Sequence, residues 1–363
     1  MLTFIHAADF HLDSPFRDLS PAQAAVRRGE QRELLKNLAA LARERKADLV
    51  LLSGDLLDGE NFSRETGETF VTALGQTGCP VFIAPGNHDH VTARSPYRTL
   101  LWPENVHIFT EPEICSVSLP ELGCTVYGAA FTSADREDDP LAGFAAPDDG
   151  QLHLMTVHGD VGGSRYAPIS AESIAESGLD YVALGHIHAC SGLQKAGGTF
   201  WAYPGCPEGR GFDECGKKGV LVGTVEKGNV ELEFVPLAAR RYERLEVSVE
   251  GNADAEQAAR AALSGHERDC CRLTFTGETA LPPDLAELER RLADCCFTLS
   301  LRDRTTLARN LWARAGEDNL TGRFLREMRV RLDQAEREED RALLELAVRF
   351  GLAALERGED CRP

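Results

Sequence analysis

The chain has 363 residues, of which 43% are hydrophobic and 27% charged, and its formal net charge is −19. That length accommodates a large core and two or three domains, while no run approaches the roughly 18 apolar residues of a membrane span. The acidic balance argues against a polyanion-binding surface unless a local basic strip or bound cations reverse the field.

The N-terminus, Met1-Leu2-Thr3-Phe4-Ile5, has neither a basic n-region nor a small-residue cleavage site, so no signal peptide is expected. The 11 cysteines are scattered, with adjacent pairs Cys270-Cys271 and Cys295-Cys296 and no Cys-x-x-Cys pattern. Reduced thiols in a cytoplasmic protein are expected. Acidity is concentrated in front: residues 1–240 hold 19 Lys and Arg against 33 Asp and Glu, and residues 241–363 hold 20 against 25.

Residues 2–8 predict a strand that ends at Asp9-Phe10-His11. A long helix follows from Pro21 to Lys46, with Ser20 as N-cap, Pro21 in the first turn and a buried stripe at Leu34, Leu35, Leu38 and Leu41. Residues 48–52 form a short apolar strand closing on Ser53-Gly54-Asp55. A helix over 64–74 leads to a third strand, 80–84, and to Gly86-Asn87-His88-Asp89-His90. This β-α-β-α-β order argues for parallel strands covered by helices. Strands are expected near 105–109, 113–118 and 123–130. Two more apolar strands, 152–157 and 180–184, end in His158-Gly159-Asp160 and Gly185-His186-Ile187-His188. Further strands are expected over 198–204 and 218–236.

The composition shifts near Pro236, and every cation after Lys227 is Arg. A boundary near 238 separates residues 1–237 from a β-α-β-α-β unit over 238–303, with strands at 243–249, 271–275 and 295–301 and helices at 253–263 and 284–293. Helices dominate the remainder, 304–363.

Five strand ends in the first half carry Asp, His or Asn, on the rim where open α/β sheets bind ligands. Asp9, His11, Asp55, Asn87, His158, His186 and His188 together suit two adjacent cations bridged by Asp55. Carboxylate and imidazole without thiolate favour manganese, iron or zinc over a soft metal. A cation pair about 4 Å apart clamps a phosphoryl group and generates hydroxide near neutral pH. Gly54, Gly86, Gly159 and Gly185 each flank a candidate ligand where a side chain would crowd the turn.

This series resembles the calcineurin-like metallophosphoesterase superfamily. The flanks Phe4–Phe16 and Tyr203–Phe212 narrow the resemblance to the YhaO-like branch of SbcD-type DNA repair exonucleases, over about residues 1–236. The resemblance implies a four-layer α/β/β/α sandwich with a smaller α+β C-terminal capping domain. It also implies one metal on Asp9, His11, Asp55 and His188 and a second on Asp55, Asn87, His158 and His186, with Mn2+ the first choice and Fe or Zn as alternatives. His88 would face the scissile phosphate as general acid or transition-state stabiliser, and Asp58 would pair with it and keep it protonated. The implied activity is a 3′→5′ DNA exonuclease with some endonuclease activity, in a homodimer with an SMC-like (SbcC-type) ATPase and without a membrane. The metal motifs alone equally permit a phosphatase or a cyclic-nucleotide phosphodiesterase, and a non-catalytic scaffold is the reading from another class.

Other residues carry plainer expectations. Asp89 and His90 hold the turn; His6 packs behind the ligands; His153 is structural; His107 and His266 have no neighbours at ligand spacing. Cys206 is either a small loop residue or a redox-sensitive thiol beside the metals. Arg210, with Lys217 and Lys218, is either a basic rim for a nucleic-acid backbone or a solvated turn.

Overall fold

A computed structural model describes residues 1–59, 62–250, 253–279, 282–307 and 309–357. The chain divides into two compact units, Met1–Arg241 and Tyr242–Pro363.

In the first unit, β1 (Leu2–Ala7), α1 (Pro21–Arg45), β2 (Leu49–Leu52), α2 (Arg64–Gly75), β3 (Val81–Ile83), the short α3 (Pro96–Thr99) and β4 (Val106–Ile108) follow one another. Then come β5 (Cys115–Leu119), β6 (Cys124–Ala129), β7 (Leu152–His158), β8 (Asp160–Val161), β9 (Pro168–Ile169), α4 (Ala171–Glu176), β10 (Tyr181–Gly185), β11 (Gln194–Ala196), β12 (Thr199–Ala202), β13 (Gly219–Glu226) and β14 (Asn229–Pro236). One six-stranded sheet has the order β14-β13-β1-β2-β3-β4 and the other β11-β12-β10-β7-β6-β5. Strands β1 to β4 are mutually parallel, as are β6, β7, β10 and β12.

The period of two along each strand sorts side chains into layers. Ile5, Ala7, Val50, Leu52, Val81 and Ile83 face the helices, meeting Leu34, Leu35 and Leu38 of α1 and Phe70 and Leu74 of α2. Their alternates Phe4, Leu49, Leu51 and Phe82 meet Val126, Leu154, Tyr181 and Ala183 of the second sheet. On that sheet's outer face Met155, Val157, Val182 and Leu184 pack with Ile174 of α4. The result is the α/β/β/α sandwich. Helix α1 starts where expected: Ser20 accepts from Gln23 N while the Gln23 side chain accepts from Ser20 N, a reciprocal cap, and Lys46 ends it in the left-handed region.

In the second unit, β15 (Tyr242–Ser248), β16 (Cys270–Thr276) and β18 (Thr298–Asp303) form a parallel three-stranded sheet. Helices α5 (Ala255–Leu263) and α6 (Leu285–Leu292) share its apolar cluster, which includes Val247, Leu273, Phe275, Leu263 and Leu292. Helices α7 (Leu320–Asp333) and α8 (Glu338–Arg357) pack through Leu325, Met328 and Leu332 against Val348 and Leu352.

Two expectations shift here. The strand set at 295–301 begins at Thr298, because Cys295 N still bonds to Leu292 O at the exit of α6. The helical region does not begin at 304: β19 (Thr306–Leu307) pairs with β17 (Glu278–Thr279), and a 3-10 segment, Arg309–Gly316, precedes α7. Residues 358–363 of that expected region lie outside the described residues. The short elements α3, α4, β8, β9 and β11, which lack the continuous apolar runs of β1–β3, β7 and β10, show too little periodicity to be read from sequence. Among the described residues no helix is long and apolar enough to cross a membrane.

Candidate metal centre

The C-terminal ends of β1, β2 and β3 in one sheet and of β7 and β10 in the other converge on one rim. The loops after β1 and β2 run alongside each other, with Asp9 N bonded to Gly54 O (3.0 Å), His11 N to Asp55 O (2.9 Å) and Leu12 N to Leu56 O (2.9 Å). Within the second sheet, Gly185 on β10 is registered opposite His158 on β7. Four candidate ligands hold positive φ: Asp9 (56°), His11 (44°), Asp55 (52°) and His186 (108°). Such non-glycine conformations are held only where surroundings over-determine them, and they cluster at functional sites. Gly54, at φ 81°, is required sterically as well: a Cβ there would lie 2.7 Å from both Gly86 N and His158 Nδ1.

Hydrogen bonds at the backs of the imidazoles fix where their lone pairs point. His11 Nδ1 lies 3.3 Å from Asp58 Oδ1, His188 Nδ1 lies 2.6 Å from Glu214 Oε1, and His158 Nδ1 lies 2.9 Å from Ser53 O. Those partners can only accept, so each Nδ1 carries the proton and each Nε2 presents a lone pair. Yet His11 Nε2 and His188 Nε2 stand 3.3 Å apart. The buried carboxylate oxygen Asp55 Oδ2 lies 3.7 Å from His11 Nε2 and 3.5 Å from His158 Nε2, while Oδ1 accepts from His88 N at 2.9 Å. Asn87 Oδ1 is 2.9 Å from His158 Nε2. Acceptors therefore face acceptors, and a cation is the group that reconciles them.

Two sets of donors close to within 4.8 Å: Asp9 with His11 and His188, and Asp9 with Asp55 and His158. Burial, then the neighbouring Asp55, pushes the Asp9 carboxyl well above the ordinary carboxylate range, a penalty that bound cations would remove. The oxygen and imidazole donor set fits divalent manganese, iron or zinc. His186 borders this group. Its ring packs edge-on to His158 with centroids 5.2 Å apart and against Tyr166 at 5.0 Å, and burial followed by His158 lowers its pKa to about 4.

His88 stands apart from that inward-facing set. Its side chain is 49% exposed and its Nδ1 is 3.4 Å from Asp58 Oδ1. The hydrogen bond to Asp58 raises its pKa despite partial burial, with Asp55 adding to the effect. Asp58 is shared, since the same oxygen also meets His11, and its carboxyl is held far below the usual range by the His11 and His88 hydrogen bonds. The pairing with His11 is not readable from spacing.

Asp89 holds the turn: its buried carboxylate accepts from Asp55 N, Leu56 N, Leu57 N, Gly86 N and the Tyr97 hydroxyl. His90 Nδ1 bonds to Asn87 O at 3.0 Å. His6 is buried behind the ligands between Tyr181 Oη (2.9 Å) and Leu184 O (3.0 Å), with burial lowering its pKa to about 3. His153 is buried against Tyr127 and Asp149, and His107 stacks on Phe82.

Two open readings narrow and one expectation changes. Cys206 is 1% exposed, and burial pushes its thiol up to about 12, which favours the plain loop residue over a reactive thiol. The expected basic rim is not one surface: Lys218 is buried and donates to His188 O at 2.9 Å, and Arg210 lies in the site wall, where its guanidinium meets Glu214 (3.0 Å) and Asp58 (3.9 Å). His266 does have neighbours, with Nδ1 2.9 Å from Asp269 and Glu243 close by. Sequence reading missed Glu214 altogether; it lies 26 residues beyond His188, and no spacing rule connects them. Burial alone would raise its carboxyl, but His188 and Arg210 hold it below the ordinary range.

Residues 2–190 match the family model of the calcineurin-like phosphoesterases. The chain is 34% identical over 248 residues to the uncharacterized metallophosphoesterase YhaO of Bacillus subtilis, covering 64% of this chain and 60% of that protein. It is 26% identical over 276 residues to the SbcD component of the nuclease SbcCD of Escherichia coli (63% and 66%), and 25% identical over 274 residues to the DNA double-strand break repair protein Mre11 of Methanopyrus kandleri (68% and 59%). The matches thus span about three fifths to two thirds of these relatives' lengths. The family match spans the strands and loops that carry all seven converging Asp, His and Asn residues, and the chain is a calcineurin-like metallophosphoesterase with relatives in the SbcD-type nuclease branch.

Proposed function

We propose that the protein is a metal-dependent phosphodiesterase acting on DNA, a 3′→5′ exonuclease with some endonuclease activity. One observation carries the catalytic part: a half-exposed His88, held by Asp58, stands beside a converging set of lone pairs that has no donor of its own. On this reading Asp9, His11, Asp55 and His188 hold one divalent cation and Asp55, Asn87, His158 and His186 a second, most simply Mn2+. When bound, such a pair neutralises phosphate charge and lowers the pKa of water.

The chain's own residues supply the rest. Asp55 presents one carboxylate oxygen between His11 and His158. The Asp58 carboxylate keeps His88 protonated and turned toward the mouth, where Nε2 can donate to the leaving 3′ oxygen or to a non-bridging oxygen as charge builds. Arg210, fixed between Glu214 and Asp58, offers a cation to the phosphodiester in an otherwise acidic chain. DNA as substrate rests on the SbcCD nuclease and Mre11 relatives. An SMC-like ATPase partner, a homodimer, a cytoplasmic setting and a capping role for residues beyond 238 belong to the same proposal.

The test compares end-labelled duplex DNA, a cyclic nucleotide and a phosphomonoester in the presence of Mn2+. Progressive shortening of the duplex, lost in His88→Ala by a factor of about 10²–10⁴ with two manganese ions still bound, is the expected result. Turnover of the monoester alone would make the protein a phosphatase, and joint loss of metal and activity in His88→Ala would place His88 among the ligands.

A further inference from the structure

The loop after β12 contributes Arg210 and Glu214 to the centre, and Glu214 connects Arg210 to His188 of the loop after β10. Its carboxylate is buried, with 6% of the side chain exposed, and all of its partners are within the site. Oε1 accepts from His188 Nδ1 (2.6 Å) and Arg210 Nη2 (3.0 Å), and Oε2 accepts from Arg210 N (2.7 Å). Arg210 Nη2 also lies 3.3 Å from His188 Nδ1. Both atoms are donors when His188 Nδ1 is protonated, so that approach is no hydrogen bond; it reflects two donors sharing one carboxylate oxygen.

The two contacts act on opposite sides of the reaction. On the first, a carboxylate behind an imidazole selects the Nδ1–H tautomer and fixes the ring plane, so that Nε2 is aimed at the position shared with His11 Nε2, 3.3 Å away. On the second, the same carboxylate binds both the backbone and the guanidinium of Arg210, leaving Nη1 turned toward Asp58 at 3.9 Å, on the His88 side of the mouth. Arg210 has no comparable anchor among the described residues: its Nε is buried without a hydrogen-bond partner.

We infer that Glu214 is a positioning residue that sets, through one carboxylate, both the metal-facing geometry of His188 and the substrate-facing geometry of Arg210. The inference rests on the reading of His188 as a ligand and of the substrate as a phosphodiester, and not on DNA being that substrate. A neutral amide separates its two roles. Gln at 214 can still accept from His188 Nδ1–H, preserving the tautomer, but its NH2 would then face Arg210 N and it carries no charge to hold the guanidinium.

The experiment titrates chelator-stripped protein with Mn2+ by calorimetry and electron paramagnetic resonance. It also measures hydrolysis of bis(4-nitrophenyl) phosphate at saturating Mn2+, for wild type, Glu214→Gln, Glu214→Ala and Arg210→Met. Glu214→Ala is expected to weaken one of two manganese sites by about 10–100-fold and to leave the other within twofold. Glu214→Gln is expected to keep both sites within about threefold while raising KM by roughly tenfold or more, as Arg210→Met does, with kcat largely retained. Wild-type metal affinity in Glu214→Ala, or wild-type KM in Glu214→Gln, would overturn the inference. If Glu214→Ala does not fold, Glu214→Gln still decides through KM. The readouts need no nucleic acid, so these results stand whether or not the enzyme shortens DNA.

Discussion

Asp89 gives the sharpest test of how the centre is built. Its carboxylate is 3% exposed and its five partners are all donors. Oδ2 accepts from Leu56 N at 2.6 Å, Leu57 N at 3.2 Å and the Tyr97 hydroxyl; Oδ1 accepts from Asp55 N at 3.2 Å and Gly86 N at 2.7 Å. Burial and the nearby Asp55 push this carboxyl upward, yet four of its five partners are backbone N–H groups that can only donate, so the ionised form is the one the site fits. Asp89→Asn preserves volume. Its oxygen can serve the three donors on one side, which leaves an NH2 group facing Asp55 N and Gly86 N. Two charge-assisted bonds at about 1.5–3 kcal/mol each give a destabilisation of about 3–6 kcal/mol, a large part of the 5–15 kcal/mol or so typical of a folded domain. The loss falls on the two loops that carry Asp55 and Asn87, so Mn2+ affinity should decline with it. Tyr97 stacks on Trp102, so tryptophan fluorescence during urea unfolding of the chelator-stripped protein reports the transition. An Asp89→Asn midpoint corresponding to less than about 1 kcal/mol would refute the reasoning, because it would mean the five bonds contribute far less than buried charged hydrogen bonds do.

The remaining predictions concern proton placement, reactivity and the scaffold. Asp58→Asn removes the contact that raises the His88 pKa; with His88 acting protonated, as proposed, the high-pH fall in rate should move to lower pH at saturating Mn2+, and an unchanged pH–rate profile would break the dyad. Under brief alkylation, exposed Cys115 and Cys190 should be modified first and Cys206 should resist until the fold opens; mass spectrometry that finds Cys206 among the first sites would contradict its burial. Arg27 is fully buried in α1 and pairs with Glu208 (2.6 Å) and Glu30 (2.5 Å), so Arg27→Met leaves buried Glu208 with the Ala239 N–H but no cation beside it and should cost about 3–5 kcal/mol in chemical denaturation. Burial would raise the Glu30 carboxyl, but Arg240 and Arg27 hold it low. Its stabilising contribution is therefore present above the unfolded carboxylate pKa and is lost as pH falls through the lower folded value, and an acid titration of stability identical in wild type and Glu30→Gln would show otherwise.

The main strands and helices of the first unit and the seven candidate residues at their ends were legible in the sequence, because apolar runs of strand length and a helix stripe at three- and four-residue spacing are local signals. Leu34, Leu35 and Leu38 are buried beneath β1–β3 as their spacing requires, and the reciprocal cap at Ser20 and Gln23 forms within four residues. What lies across the fold was not legible. Glu214 meets His188 across 26 residues, Asp58 meets His11 across 47, and His158 Nδ1 finds Ser53 O across 105. Such partners are chosen by the packing of loops from different strands, which no spacing encodes. Arg210 and Lys218 read as surface cations because charge is normally solvated; the tertiary structure instead sets Arg210 against Glu214 and Asp58 and Lys218 on His188 O, and so decides which cation lines the site and which supports it. The left-handed backbone at Asp9, His11 and Asp55 was likewise invisible, since Asp and His adopt it only when contacts on every side hold the chain there.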